Sequence, residues 1–274
     1  MNLPKSIKER YRWFLNTDFG SKIYLEFKEI LYTREDSLIQ TLNNDILQYL
    51  KLLQEEALEV CDIGGGDGNR IIHILKYLHS KFKNRFRLDF IEQSKQYINS
   101  FNPTEIADIA EVEKFHGLFE DVSLSKQYDL VLLIHSIFAF NNGRAIDKVL
   151  SLPKQDGKII VVSNSPQSFL AGLKNLVDEG YEDERYEIDD LQRDLEKRKI
   201  NYSYHALKTR WAINMDSFEN KINTILEWIS LGSYQSFTDK KKHSISEYLT
   251  HCYIKAGDRV FFTEDEVVII IPPS

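Results

Sequence analysis

Apolar and polar positions alternate with a period that changes along the chain, and these periods predict its elements. In the first forty residues apolar side chains recur at helical spacing, which predicts helices over 1–40. Asn43, Asn44 and Asp45 can cap a further helix that extends to Leu53. The apolar positions of the first helices are Tyr11, Phe14, Leu15, Ile23, Phe27 and Ile30.

Between residues 58 and 163, short apolar runs alternate with amphipathic segments. The run 128–134 is almost entirely apolar, as expected of a strand that is covered on both faces of a sheet. Repeated strand–helix units of about 30 residues favour a parallel sheet with helices on both sides, the doubly wound α/β class. The predicted strands are 58–63, 87–91, 114–118, 128–134 and 158–163, and the predicted helices are 69–82, 145–152 and one that contains Tyr97.

The final third of the chain mixes both patterns. Segment 202–211 alternates as a strand does, and 259–262 with 267–271 predicts a terminal hairpin or one interrupted strand. Helices are predicted over 189–199, 218–231 and 244–256. Segment 212–257 is therefore a helical insertion before the last strand. The absence of internal repeats and of Pro/Gly-rich linkers favours one domain over 1–274.

Composition and charge narrow the class of protein. A hydrophobic fraction of 42% with 12% aromatic residues suffices for a substantial core and excludes a disordered chain. The net charge of −7, with Lys and Arg interspersed, argues against nucleic acid as a partner. Two distant cysteines, no signal-like segment in residues 1–14 and no run of about 20 apolar residues favour a cytoplasmic protein that does not enter a membrane.

A glycine-rich segment lies between predicted strand 58–63 and predicted helix 69–82. Its glycines allow a sharp turn and a close approach of the backbone to a ligand. A dinucleotide turn would have the spacing Gly-x-Gly-x-x-Gly, and a phosphate loop would end in Gly-Lys-Ser/Thr; neither occurs here. The negative charges of Asp62 and Asp67 favour a ligand that carries an ammonium and a sulfonium group. The alternative for the whole segment is a tight strand–helix turn that binds no ligand. The candidate cofactor-binding residues are Asp62, Gly64, Gly65, Gly66 and Gly68.

Acidic residues at two further strand ends extend this candidate site. Glu92 ends the second strand of the alternation, where a carboxylate can accept hydrogen bonds from both hydroxyls of a ribose. Glu120 and Asp121 follow the third strand, where either can accept a hydrogen bond from the amino group of adenine. A solvated surface charge is the alternative for all three. Gln93, next to Glu92, and Ile134, at the end of the fourth strand, are also cofactor-binding candidates.

With these residues in place, the chain resembles the histamine N-methyltransferase branch of the class I S-adenosyl-L-methionine-dependent methyltransferases. The resemblance rests on Tyr11-Arg12-Trp13-Phe14-Leu15-Asn16, the glycine turn, Ile91-Glu92-Gln93-Ser94, Ile160-Val161-Val162-Ser163 and the closing segment from Arg259 to Ile271. It implies a Rossmann-like, seven-stranded sheet, mostly parallel with an antiparallel C-terminal strand. It also implies S-adenosyl-L-methionine as methyl donor, S-adenosyl-L-homocysteine as product, and a helical cap, 1–40, over the acceptor pocket.

The residues with which that family holds histamine are not retained. The family's glutamate after the opening Phe-Leu-Asn aligns near Gly20 of this chain, and its glutamine after the fourth strand aligns with His135. Its asparagine in the terminal hairpin falls on or near Glu264. The resemblance therefore implies the methyl donor, but it does not imply histamine as the acceptor.

His135 is the candidate catalytic residue. It follows the fourth strand, at the edge where ligands of such sheets bind, and it can accept the proton of the acceptor or orient it. A structural histidine is the alternative. Trp13, Phe14 and Phe138 are candidates for the acceptor pocket, with plain core residues as the alternative. Glu264 can pair with a cationic acceptor or lie at a solvated turn. The sequence contains neither metal-ligand spacing nor a Gly-x-Ser-x-Gly motif.

These residues favour methylation of a small-molecule amine or imidazole nitrogen. The alternative is O-methylation of a carboxylate or hydroxyl on a metabolite or a peptide C-terminus, motivated by the missing glutamate and by Arg12, Arg210 and Lys240. A protein that binds the cofactor without catalysis is a third hypothesis. The expected partner is a small-molecule or peptide-end acceptor, with no nucleic acid and no membrane, and the expected state is a monomer or homodimer.

Overall fold

The computed structural model describes residues 6–31, 57–140, 143–178, 181 and 185–272. These residues belong to two compact units. The helix unit comprises the described residues of Met1–Asp36, Asn164–Arg185 and Ala206–Glu266, and the sheet unit comprises those of Ser37–Ser163, Tyr186–His205 and Val267–Ser274. The helix predicted from Asn43 to Leu53 lies outside the described residues. One domain over 1–274 stays a prediction.

Eight strands form the described sheet. They are β1 (Ala57–Ile63), β2 (Arg85–Glu92), β3 (Ala110–His116), β4 (Tyr128–Ile134), β5 (Pro153–Asn164), β6 (Ser203–Asn214), β7 (Tyr253–Ala256) and β8 (Arg259–Ile271). Their order is β3-β2-β1-β4-β5-β8-β6, with β7 paired to β8. The pairs among β1 to β5 are parallel, whereas β7 and β8 are antiparallel. The α/β class with a mostly parallel sheet and antiparallel C-terminal strands is confirmed.

The direction of the chain across the sheet reverses between β1 and β4. Strands β1, β2 and β3 follow one another outward on one side, and the chain then returns to place β4 on the other side of β1. Asp62 pairs with both Phe90 of β2 and Leu132 of β4, so the carboxyl ends of these three strands share one edge. Such a reversal opens a crevice at that edge, which is where ligands of doubly wound sheets bind.

Helices of the sheet unit follow the predicted alternation. They are α3 (Asn69–Phe82), α4 (Lys95–Ser100), α5 (Gly143–Leu150) and α7 (Ile188–Lys197). Helix α3 has the predicted bounds and buries Ile71, Ile74, Leu75 and Leu78. Lys83 follows the last helical residue with a left-handed φ of 64°, a backbone conformation that commonly ends a helix. The predicted helix over 69–82 is therefore confirmed.

The helix unit contains helices at the start of the chain, where they were predicted, and most of the final third; that residues 1–40 cap an acceptor pocket stays a prediction. Its helices are α1 (Ile7–Leu15), α2 (Asp18–Leu31), α6 (Phe169–Asp178), α8 (Phe218–Ile229) and α9 (Asp239–Cys252). An aromatic core holds them, in which Trp211 stacks on Phe262 with ring centroids 4.4 Å apart. None of the described helices is both long and apolar enough to span a bilayer.

Several predicted bounds are wrong, and each error has a local cause. β3 begins at Ala110 rather than at 114. The prediction missed its start because β3 is an edge strand, and Glu111, Glu113 and Lys114 interrupt its apolar pattern. The predicted helix 244–256 ends at Cys252, and its last four residues form β7. Among the described residues the sheet therefore has eight strands, not the predicted seven. Of the two alternatives for 259–271, the single strand and not the hairpin is found, and this strand is continuous.

Candidate functional site

The glycine segment forms the turn from β1 to α3. Gly64, Gly66 and Gly68 have φ values of 72°, 64° and 77°, a left-handed conformation that strains any residue with a Cβ. The N–H groups of Gly64 and Gly65 both donate to the carbonyl oxygen of Ile91, at 2.8 and 3.2 Å. The turn is thus held against the end of β2, and the alternate spacing of its glycines reflects a backbone requirement.

Close packing explains part of this glycine content. A Cβ added to Gly64 would lie 2.5 Å from the Cβ of Ser136, and one added to Gly68 would lie 2.1 Å from a ring carbon of Phe101. A Cβ on Gly65 would lie 2.1 Å from the ring of Phe90. These three glycines are therefore needed by the fold itself, whether or not a ligand binds.

The two carboxylates of the turn have different surroundings. Asp67 is buried and accepts hydrogen bonds from the backbone and side-chain nitrogens of Asn69, the first residue of α3, at 3.2 and 2.9 Å. Asp62 is buried at the end of β1 beside Gly65. Of the two, Asp67 has a structural role that the sequence pattern did not indicate, whereas Asp62 stays a candidate for binding a cationic group.

Glu92 lies at the centre of the site. Its side chain is 4% exposed, and its Oε2 accepts the N–H of Gly66 at 2.9 Å while Oε1 accepts the N–H of Ser94 at 2.7 Å. Burial raises the pKa of Glu92, and the backbone N–H groups of Ser94, Gly66 and Gln93 oppose that rise. A carboxylate offers about four lone-pair positions. The three backbone N–H donors leave about one acceptor position of Glu92 for a hydroxyl donor next to the glycine turn.

The turn after β3 separates the two acidic candidates for adenine. Asp121 is exposed, whereas Glu120 is half-buried. The Oε1 atom of Glu120 is buried and has no hydrogen-bond partner among the described residues. A buried carboxylate oxygen without a donor is costly, so a ligand amino group would be favoured at this position. The structure therefore distinguishes Glu120 from Asp121, which the sequence could not do.

The end of β4 brings the candidate catalytic residue to the same edge of the sheet. His135 has a φ of 52°, uncommon for a residue with a side chain, and its N–H donates to Val162 of β5 at 2.8 Å. Ile134 and Phe138 are half-buried beside it in sequence. The hydroxyl of Ser136 donates to the carbonyl oxygen of Ile63 at 2.6 Å. Ser136, which no motif indicated, thus ties β4 to the start of the glycine turn.

The remaining acceptor candidates belong to the helix unit. Trp13 is 36% exposed, whereas Phe14 is fully buried against the rings of Phe19 and Trp228. Glu264 is also fully buried, and its Oε2 accepts the N–H of Leu170 in the first turn of α6, at 3.2 Å. The expectation of a solvated turn at Glu264 is therefore wrong, because this residue is buried inside β8 and accepts a backbone N–H from the first turn of α6. Whether these residues bind an acceptor stays a prediction.

The basic candidates for an acidic acceptor also lie in the helix unit. Arg210 is exposed with its guanidinium 4.3 Å from the ring centroid of Phe261, and Lys240 is exposed on α9. Arg12 of α1 is half-buried, and its Nη2 atom is buried without a hydrogen-bond partner in the described part of the chain. Among the three, Arg12 alone has a buried donor that a ligand could satisfy. The described residues contain no His, Cys, Asp and Glu cluster suited to a metal ion.

Comparison with known proteins identifies the fold. No protein-family model and no curated protein matches the sequence. Among solved structures, a candidate methyltransferase from Bacillus halodurans is similar with a TM-score of 0.55 and 15% identity, covering 84% of this chain and 99% of that protein. The plantazolicin methyltransferase BamL, solved with a triazolic desmethylPZN analogue and S-adenosyl-L-homocysteine, has a TM-score of 0.54 at 15% identity, covering 96% of this chain and 94% of that protein.

A third similar structure bears on the predicted resemblance. It is a candidate histamine N-methyltransferase from Thermotoga maritima, with a TM-score of 0.51 and 16% identity, covering 96% of this chain and 100% of that protein. Identities this low establish the fold but not the substrate. A mostly parallel sheet, a glycine turn after β1 and a buried acid at the end of β2 accompany the likeness. This chain therefore has the fold of the class I S-adenosyl-L-methionine-dependent methyltransferases.

Proposed function

We propose that this protein is an S-adenosyl-L-methionine-dependent methyltransferase that methylates an amine or imidazole nitrogen of a small molecule. The observation that carries the proposal is the buried carboxylate of Glu92, held by the N–H groups of Gly66 and Ser94 at the edge where the strand order reverses. A buried acid is retained there at an energetic cost, and a hydroxyl donor of a nucleoside would occupy the acceptor position that the three N–H groups leave open.

The residues of the sheet unit fit the separate parts of this cofactor. The glycine turn and Asp62 would hold its amino-acid end, Glu92 and Gln93 its ribose, and Glu120 the amino group of its adenine. Ile134 would contribute an apolar contact. The orphaned Oε1 of Glu120 is independent support, since it needs a donor and adenine has one. When bound, the cofactor supplies a methyl group on a cationic sulfur that is open to nucleophilic attack.

The protein's own contribution would be orientation and removal of a proton. His135 is placed at the end of β4 by a left-handed backbone and by its N–H bond to Val162. A neutral imidazole there can accept the proton that an amine or imidazole loses on methylation, or it can hold the acceptor by a hydrogen bond. Trp13, Phe14, Phe138 and Glu264 are the further acceptor-binding residues in this proposal, with Glu264 as the partner of a cationic acceptor.

O-methylation of a carboxylate or hydroxyl is the second candidate function. The observation that favours it is the buried, unpartnered Nη2 of Arg12 among the described residues. A guanidinium recognises a carboxylate through paired N–H donors. An acid on a metabolite or a peptide end would satisfy Arg12, whereas an amine would not. The acceptor is a small molecule in the first proposal and a metabolite or a peptide end in the second. In both we propose a monomer or homodimer in the cytoplasm.

Binding and transfer can be tested on the unmodified protein. S-adenosyl-L-homocysteine at about a hundred times its Kd is expected to stabilise the fold by about 2.7 kcal/mol, seen as a rise in melting temperature. Labelled S-adenosyl-L-methionine should then transfer label to members of an amine and imidazole panel. Transfer to carboxylic acids instead would support the second function. Stabilisation without transfer to any panel would indicate a cofactor-binding protein, and no stabilisation at millimolar ligand would contradict both proposals.

His135 variants that tolerate its backbone separate its two roles. His135→Gly is expected to lower kcat about a hundredfold, the usual scale for a lost general base, with S-adenosyl-L-homocysteine affinity unchanged. His135→Asn tolerates the same φ and keeps a hydrogen-bonding group, so recovery in this variant would indicate orientation rather than proton removal. His251→Asn, an exposed histidine on α9, is the control. Full activity of His135→Gly would remove this residue from the mechanism.

A further inference from the structure

Lys148 of α5 holds the turn that carries Glu120, although no sequence motif points to it. Its ammonium donates hydrogen bonds to the carbonyl oxygens of Phe119, Glu120 and Val122, the second at 3.3 Å. An ammonium has three protons, so this half-buried group can be satisfied by the backbone of one turn. Lys148 therefore acts on the turn as a clamp and does not need an acidic side chain as its partner.

The same lysine also contacts the aromatic residues beside the turn. Its Nζ lies 4.4 Å from the ring centroid of Phe119, within the range of a cation–π interaction. Phe119 stacks on Phe140, which follows β4, with centroids 5.7 Å apart and ring planes 18° apart. Burial lowers the pKa of Lys148, whereas the carboxylates of Glu120 and Asp121 raise it. The turn after β3 is thus linked through Lys148 and Phe119 to the segment after β4.

The other end of the turn is attached to the candidate ribose site. The N–H of Gly117 donates to the carbonyl oxygen of Glu92 at 3.1 Å. Within the turn, the N–H groups of Asp121 and Val122 both donate to Leu118, at 2.9 and 3.2 Å. The backbone that carries Glu120 is therefore fixed on both sides, by β2 at its start and by Lys148 at its end.

We propose that Lys148 is a positioning residue that makes the site selective for adenine, by holding the turn so that the buried Oε1 of Glu120 accepts the adenine amino group. This inference rests on the proposed function, because it assumes that the ligand is an adenine nucleoside. A carboxylate only accepts hydrogen bonds. It therefore favours the amino group of adenine and repels the oxygen that hypoxanthine carries at the same position.

Loss of the clamp should affect this discrimination in particular. Without Lys148, three carbonyl oxygens of the turn lose their donor, and the backbone beneath Glu120 is free to relax. Glu120 then no longer has to face the base. The ribose carboxylate Glu92 keeps its own bonds to Gly66 and Ser94, so the sugar contribution to binding remains.

The test compares two nucleosides that differ at one group of the base. Calorimetry would give Kd values for S-adenosyl-L-homocysteine and S-inosyl-L-homocysteine with the unmodified protein and with Lys148→Met. Wild type is expected to prefer the adenine compound about tenfold or more, the scale of one hydrogen bond to a charged group. In Lys148→Met this preference should fall to about twofold, mainly through weaker binding of the adenine compound.

Lys154→Met is the matched control. Lys154 is another half-buried lysine of the sheet unit, and its Nζ lies 2.8 Å from the buried carboxylate of Asp129. Its loss should lower the melting temperature while leaving the ratio of the two Kd values at the wild-type value. Proportional weakening of both nucleosides in Lys148→Met, with the ratio unchanged, would show a purely structural role and would overturn the inference.

Two further outcomes are separable. Wild-type protein that binds neither nucleoside would overturn the proposed function and this inference together, whereas an unchanged ratio in Lys148→Met would overturn the inference alone. Should Lys148→Met fail to fold, Glu120→Gln provides the measurement, because an amide can both donate and accept. The preference is expected to disappear in Glu120→Gln, and a preference that stays at the wild-type value would exclude Glu120 and its clamp from base recognition.

Discussion

Gly66→Val is expected to abolish stabilisation by S-adenosyl-L-homocysteine. Gly66 is buried with a φ of 64°, which a β-branched residue does not tolerate, and its N–H supports the Oε2 of Glu92 at 2.9 Å. Valine would displace this N–H and with it the carboxylate. The wild-type gain of about 2.7 kcal/mol at a hundredfold ligand excess should fall to near zero. Melting curves with and without the ligand would measure it.

Gly257→Val is the control for backbone strain. Gly257, in the turn between β7 and β8, has a φ of 62°, and an added Cβ would meet nothing within 4 Å. The same left-handed conformation costs about 1–2 kcal/mol for a residue with a side chain. Gly66→Val should therefore lose at least as much stability without ligand as Gly257→Val, because it also disturbs the bond to Glu92, and only Gly66→Val should lose the ligand effect. A folded Gly66→Val protein that keeps the full effect would refute the proposed role of the turn.

Trp211→Ala is expected to cause a large loss of stability in the helix unit. Trp211 is 1% exposed, and it stacks on Phe262 with ring planes 14° apart and contacts Phe169 with centroids 5.8 Å apart. Removing a buried tryptophan of this kind costs about 3–5 kcal/mol, because the cavity closes incompletely. Urea unfolding followed by circular dichroism would give the change in the free energy of unfolding.

Trp13→Ala provides the comparison at an exposed tryptophan. Trp13 is 36% exposed, and the guanidinium carbon of Arg10 lies 5.3 Å from the centroid of its ring. Trp13→Ala should therefore lower the free energy of unfolding by no more than about 1 kcal/mol. Equal losses in the two variants would contradict the assignment of Trp211 to the core of this unit. A small effect of Trp13→Ala on stability would also leave that variant suitable for testing acceptor binding.

Elements with a strong apolar period were predictable from the chain alone. β4 spans Tyr128–Ile134 and α3 spans Asn69–Phe82, as predicted, because each is dominated by burial that its own residues encode. The bounds of β3 were not predictable, since an edge strand is exposed and charged residues are tolerated there. β7 was not predictable either, because its four residues directly follow a helix and form a strand only by pairing with β8.

The candidate site shows the same division. Glycines at alternate positions and an acid at the end of β2 are sequence signals, because the backbone conformation and the strand end are local properties. Ser136 gives no such signal, since its partner Ile63 is 73 residues away. In the sequence Lys148 is likewise an ordinary lysine of a predicted helix. Only the folded chain shows that its ammonium donates to carbonyl oxygens of the turn 119–122. Side chains that act through distant partners can be identified only after the chain has folded.

By itself, the sequence determined the α/β class, the glycine turn, the acid at the end of β2 and the position of His135 after β4. These features follow from periodicity and from conformations that a few residue types permit. The tertiary structure alone decided that Asp67 binds the first residue of α3, that Glu264 is buried against the start of α6, and that Glu120 rather than Asp121 has a buried oxygen without a donor in the described chain. The reason is physical: burial and hydrogen bonding depend on which distant segments meet, and a linear pattern does not contain that information.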